Sequence, residues 1–176
     1  IKCSPNEGCR KGIGRTFQIP KTFLNMSALE NVMVGAFYGV PGTKSLEAAK
    51  ERALESLKLV GLLERKDVLG SALTLLDRKK LELARASATE PKLLLLDEVV
   101  AGLNPVETEE MTDLIKKICD SGKTVFLIEH VMKIVIKISD RIMVLHHGEK
   151  IAEGKPAEVI SDEKVVEAYL GEKRFA

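Results

Sequence analysis

The chain has 176 residues, 45% of them hydrophobic, enough to bury the core of one domain with a subdomain inserted in it. Its 27 basic and 26 acidic residues nearly cancel, which argues against the basic footprint of a nucleic-acid binder. The apolar runs, such as residues 93–96, are far too short to cross a bilayer, and residues 1–9 lack the layout of a secretion signal, so a soluble globular protein is expected.

Taken in chain order, the first residue is Ile1 rather than Met, ahead of a stretch containing Pro, Gly and Asn, and the sequence is expected to have been cut there. Gly35, Gly39, Pro41 and Gly42 are expected to separate this first segment from a helical one. Residues 45–60 carry apolar side chains at helical spacing (Leu46, Ala49, Ala53, Leu54, Leu57), and residues 78–88 repeat that spacing beyond Gly61 and Gly70. From Lys92 the pattern alternates. Residues 93–96 and 125–128 read as buried strands, with a helix through Met111, Leu114, Ile115 and Ile118 between them. A short helix over 131–138 and a third buried strand over 141–145 follow, in the manner of a parallel sheet. Gly148 marks a tight turn that pairs residues 150–152 with the preceding strand, and Pro156 opens a last helical region over 157–170. Cys3, Cys9 and Cys119 match no metal or redox spacing and read as free thiols of a reducing cytoplasm. His146 and His147 precede the Gly148 turn, where strand alternation would send them to opposite faces, against a metal site.

Asp97 and Glu98 end the strand over 93–96, at the carboxyl tip where open α/β sheets bind ligands. An Asp there can hold Mg²⁺ bridging nucleotide phosphates, and an adjacent Glu can orient or deprotonate a water. A solvated acidic pair closing a strand would look the same. Gln18, after Phe17, offers an uncharged amide to a metal and a water, and His130, just past the strand over 125–128, offers an imidazole to a terminal phosphate.

Gln18, the Asp97–Glu98 pair and His130 occur in the order and context of the ABC-type transport ATPases, which the chain resembles over nearly its whole length. Residues 73–87 align with that family's signature segment and its helix, 101–105 with the loop after the catalytic Glu, and 148–154 with a later turn. The wording of 12–18 (GIGRTFQ), 101–105 (AGLNP), 128–130 (IEH) and 167–172 (EAYLGE) resembles the ATPases of branched-chain amino acid importers, and related urea and amide importers share much of it.

The resemblance implies an α/β, P-loop NTPase (RecA-like) parallel-sheet core with an inserted helical subdomain, lacking its N-terminal strands and phosphate-binding loop. It divides the chain into a core segment (1–19), the helical subdomain (20–89), the RecA-like core (90–156) and a helical tail (157–176). It makes Asp97 the Mg²⁺-associated carboxylate, Glu98 the catalytic base, His130 the switch histidine and Gln18 the lid glutamine. Thr74, Leu75, Leu76, Asp77 and Asn104 complete the surface toward ATP. The implied activity is ATP hydrolysis driving import, on the cytoplasmic face of a cell membrane, with membrane-spanning permease subunits and a second ATP-binding subunit as partners and no nucleic acid.

Several positions depart from the family's pattern. The loop G-x-x-x-x-G-K-S/T does not occur in these residues. Gly14-Arg15-Thr16 and Thr43-Lys44-Ser45 imitate only its tail, so the loop is expected before Ile1 and the chain alone is expected to be inactive. Where the family commonly has Leu-Ser-Gly-Gly-Gln, this chain has Leu73, Thr74, Leu75, Leu76 and Asp77: Thr74 keeps a hydroxyl, whereas Leu75, Leu76 and Asp77 would hinder the approach of a phosphate, and a branch-specific variant that still works is the preferred reading over a weakened site. Val99 replaces a proline and Asn104 an aspartate. A non-catalytic fragment or regulatory subunit, and an ATPase of DNA maintenance or translation, stand as alternatives.

Overall fold

The computed structural model describes residues 4–39 and 45–173, with side chains as far as Tyr169. Cys3, Pro41, Gly42, Thr43 and Lys44, which figure in the expectations above, lie outside the described residues, as do positions 174–176 of the expected tail. The chain divides into two compact units, residues 1–128 and 129–176, which are taken one at a time.

The first unit opens with a short helix α1 (Pro5–Arg10) that periodicity does not reveal. Ser4 and Glu7 form a capping box around it and Pro5 enters at the first turn, where its missing N–H costs nothing, so residues that resemble a loop build a helix start. Strand β1 (Ile13–Arg15) follows, then helices α2 (Ala28–Gly39), α3 (Leu46–Leu59) and α4 (Leu75–Ser87). Strand β2 (Leu93–Asp97), helix α5 (Pro105–Asp120) and strand β3 (Thr124–Ile128) complete the unit. The three strands form a parallel sheet in the order β1-β2-β3, with Ile13 beside Leu93 and Asp97 beside Ile128. Leu94 and Leu96 are buried on the central strand, and Met111, Leu114, Ile115 and Ile118 of α5 are buried at helical spacing.

Between β1 and β2 the described chain contributes no strand to this sheet. Helix α2 packs on both α3 and α4. Gly35 and Gly39, expected to break the chain, instead lie in α2. A Cβ at Gly35 would stand 2.3 Å from the carbonyl oxygen of Arg85, and one at Gly39 would stand 2.4 Å from Thr89 Cβ. These glycines serve the close approach of α2 to α4 and to Thr89 just beyond its end, rather than a turn. In the first turn of α2, the buried Asn31 side chain accepts from the N–H of Phe23 at 2.8 Å and donates to the carbonyls of Phe23, Met26 and Ser27, closing the loop that enters the helix.

The second unit contains α6 (Met132–Ile138), β4 (Ile142–His146), β5 (Glu149–Gly154), α7 (Pro156–Ile160) and α8 (Glu163–Lys173). Strand β4 departs from the expected parallel arrangement: it pairs with β5, antiparallel, in a two-stranded sheet. It is also not buried throughout. Ile142 and Val144 face a small core with Val159 and Val165, while Met143 and Leu145 are exposed, so the apolar run is an alternating strand. His147 and Gly148 both have positive φ, 48° and 83°, as a two-residue hairpin turn requires. Because His147 has left the strand, the two imidazoles are not on opposite faces as alternation predicts, and their ring centroids stand 4.1 Å apart. The expected final helix is two helices interrupted at residues 161–162. Among the described residues, no helix is long and apolar enough to cross a membrane.

Candidate active site

Parallel pairing brings the carboxyl ends of β1 and β2 to one edge of the sheet, and the chain leaving each strand carries a candidate side chain. Gln18 is three residues past β1, and its Nε2 donates to Glu98 Oε2 at 2.5 Å. Glu98 follows β2 directly and has φ 44°, in the left-handed region that costs a side-chain-bearing residue about 1 kcal/mol. Its N–H is held by the carbonyl of Ile128 at 3.0 Å, and its own carbonyl accepts from Ala101. Val99 and Val100 behind it are buried. Asp97 ends β2 with its side chain 32% exposed, and the guanidinium of Arg15, at the end of β1, stands 3.5 Å from its carboxylate. His130 is exposed, two residues beyond the end of β3 and in the second unit.

The donor chemistry at this edge fits magnesium. Asp97 and the amide oxygen of Gln18 are hard oxygen donors, and Mg²⁺ in nucleotide sites is held by one or two carboxylates together with phosphate oxygens and water. The described residues contain no cluster of three or more His, Cys, Asp or Glu of the kind that would cage a metal with protein alone.

The signature residues form the start of α4, three residues earlier than the expected helix. Thr74 is the N-cap: its hydroxyl accepts from the N–H of Asp77 at 3.2 Å and donates to Asp77 Oδ2 at 2.8 Å. The same carboxylate oxygen lies 2.5 Å from Arg65 Nη1. Asp77 is therefore folded back on its own helix end and only 8% exposed, not projected outward as a free negative charge. Leu75 is exposed beside Gly102, and Leu76 is half-buried. Asn104 caps α5, accepting from the N–H groups of Val106 and Glu107 at 3.0 Å each, a task an aspartate would perform equally.

Sequence reasoning missed the residues that hold this edge together. The carboxylate of Glu82 accepts from the N–H of Phe17 and of Lys21, and Lys79 reaches the carbonyls of Gln18 and Glu98. Arg85 donates to the carbonyl of Lys21 at 2.6 Å, and burial pushes its guanidinium below the usual arginine range, with Glu82 opposing. Phe17 is flanked by two cations, Arg15 at 5.0 Å and Lys21 at 5.5 Å from its ring centroid. The available signal was charge at positions 79 and 82, on a helix whose residues 79–84 are all buried.

A parallel sheet with acidic groups at its carboxyl edge and helices packed beside it is an open α/β arrangement, the kind of fold that binds its ligands at that edge. The chain belongs to the ATP-binding cassettes: the family described as "ABC transporter" matches residues 4–101. The family described as "Branched-chain amino acid ATP-binding cassette transporter" matches residues 149–174. Its relatives include the high-affinity branched-chain amino acid transport ATP-binding protein LivG of Escherichia coli (strain K12), 40% identical over 93% of this chain and 69% of the relative. The protein of the same description, BraF, from Pseudomonas aeruginosa is 39% identical over the same shares. Among solved structures, the ADP conformation of MJ1267, an ATP-binding cassette of an ABC transporter, is 32% identical with a TM-score of 0.80, covering 96% of this chain and 72% of that one.

Proposed function

We propose that this chain is the ATP-hydrolysing subunit of an importer of branched-chain amino acids. The observation that carries the reading is the meeting of Gln18 and Glu98 at 2.5 Å beside Asp97, in a chain 40% identical to LivG. When bound, Mg²⁺ would screen charge on the nucleotide's phosphates, and Asp97 with the Gln18 amide oxygen would hold it. Glu98 orients the attacking water and takes its proton, while the Gln18 amide fixes the carboxylate that does so. The switch role of His130 rests on the resemblance of its Ile-Glu-His segment. Thr74, Leu75, Leu76 and Asp77 at the start of α4, with Asn104, would face the nucleotide of a second ATP-binding subunit.

The membrane partner is proposed to dock beside Gln18. On the loops that follow Gln18 and precede α4, Phe23, Leu24 and Leu69 are exposed, and these loops are joined by the Ser27–Leu69 bridge and by hydrogen bonds from Gly70 to Met26 and from Ser71 to Leu24. Exposed apolar groups of this kind suit a permease contact and a place on the cytoplasmic face of the membrane. A non-catalytic regulatory role is the second reading, favoured by the leucines of the signature.

The test is Glu98→Gln in the protein as its full gene encodes it. The amide keeps shape and polarity but takes no proton, so ATP binding should persist while turnover falls below about a tenth of wild type. Turnover above that level would remove Glu98 from the role of base.

A further inference from the structure

Helix α4 carries three buried charges that the roles above do not use; Lys80 pairs with Glu110, and the other two, Lys79 and Glu82, reach the candidate site. Lys79 is 6% exposed and Glu82 is 3% exposed, and at a spacing of three they share one side of the helix. Taking charged groups out of water is costly unless their polar atoms find partners. Lys79 Nζ donates to the main-chain carbonyls of Gln18 and Glu98, at 3.4 Å each. Glu82 receives the N–H of Phe17 on one carboxylate oxygen at 3.2 Å and that of Lys21 on the other at 3.0 Å. The two segments gripped by Lys79 are thus the ones whose side chains meet, Gln18 on Glu98.

Neither segment is held by regular structure. Residues 16–23 lie in no helix or strand, and Glu98 sits at positive φ, a conformation that persists only where its surroundings over-determine it. An ammonium has three donors to share and can serve two carbonyls that converge on it from different segments. An apolar side chain of the same length would fill the space and leave both carbonyls without that donor.

We infer that Lys79 is a positioning residue, a tie that fixes the backbones of Gln18 and Glu98 so that their side chains register, with Glu82 holding the two flanks of the Gln18 loop. Because both charges stand on α4, whose first turn is the signature segment, the tie links that helix mechanically to the carboxylate. The inference rests on the reading of Glu98 as base, and the experiment separates the two.

In the protein as its full gene encodes it, Lys79→Met is compared with Lys79→Arg and with Lys58→Met on the exposed face of α3. Amide exchange should rise about tenfold in both the 17–21 and 98–101 segments of Lys79→Met, with β2 and α5 unchanged, because local opening is being read. Turnover should fall about tenfold while KM for ATP stays within about twofold, and Lys79→Arg should recover turnover to within about threefold. Added to Glu98→Gln, Lys79→Met should cost nothing further, since both act through one carboxylate. Faster exchange across the whole unit, faster exchange in one segment only, or unchanged turnover in Lys79→Met would overturn the positioning role. Normal turnover in Glu98→Gln would overturn the base assignment instead, and the exchange of the two segments would still decide the tie.

Discussion

Leu75 and Leu76 fall where the common pattern Leu-Ser-Gly-Gly-Gln has glycine, and their consequence depends on where their side chains lie. Both are in the first turn of α4, Leu75 exposed and Leu76 half-buried, and the helix end is already satisfied by Thr74 and Asp77. A glycine here would bare the backbone N–H groups of the helix start but would cost about 1 kcal/mol of helix propensity. The expected balance favours access. In full-length protein carrying Glu98→Gln, which lets an ATP-bound state accumulate, Leu75→Gly with Leu76→Gly should tighten ATP-dependent dimerisation measured by sedimentation. Equal or looser association would mean that the leucines are accommodated and that Thr74 with the helix end suffices. Asp77 carries a lesson at the same scale: its charge was legible in the sequence, but its direction was not, because the partner that turns it inward, Arg65, lies in a separate turn.

The elements were legible wherever their signal was local. The spacing within α3 and α5 and the apolar run of β2 each declare a helix or a strand within a short window. Helix α2 was obscured by its glycines, whose meaning depends on a second helix. Their purpose is testable: Gly35→Ala should be destabilising by about 1–3 kcal/mol despite alanine's better helix propensity, because the added carbon meets the backbone of Arg85. Thermal melting checks this, and a melting temperature equal to or above wild type would mean that α2 is free to shift away from α4. Strand β4 was misassigned for a related reason. A four-residue apolar run does not say whether one face or both are covered, and here one face of β4 is exposed.

At the scale of the molecule, the 176 residues span 69% of LivG and contain no G-x-x-x-x-G-K-S/T loop. Asp97 and Glu98 are acidic side chains, and like charge by itself would repel a triphosphate. We propose that these residues by themselves bind Mg-ATP very weakly; titration calorimetry checks this, and micromolar affinity would mean that another segment replaces the loop. The sequence by itself determined the family, from short motifs in their order along the chain, and the strands β2 and β3 with the acidic pair at the end of β2, since each strand is written in contiguous residues. Tertiary structure alone decided that Gln18 meets Glu98 across 80 residues of chain, that two glycines belong to a helix contact, and that Lys79 and Glu82 face inward to hold the site. The reason is physical. Periodicity reports which side of an element is buried, whereas the partner of a buried polar group is fixed only when separate elements pack.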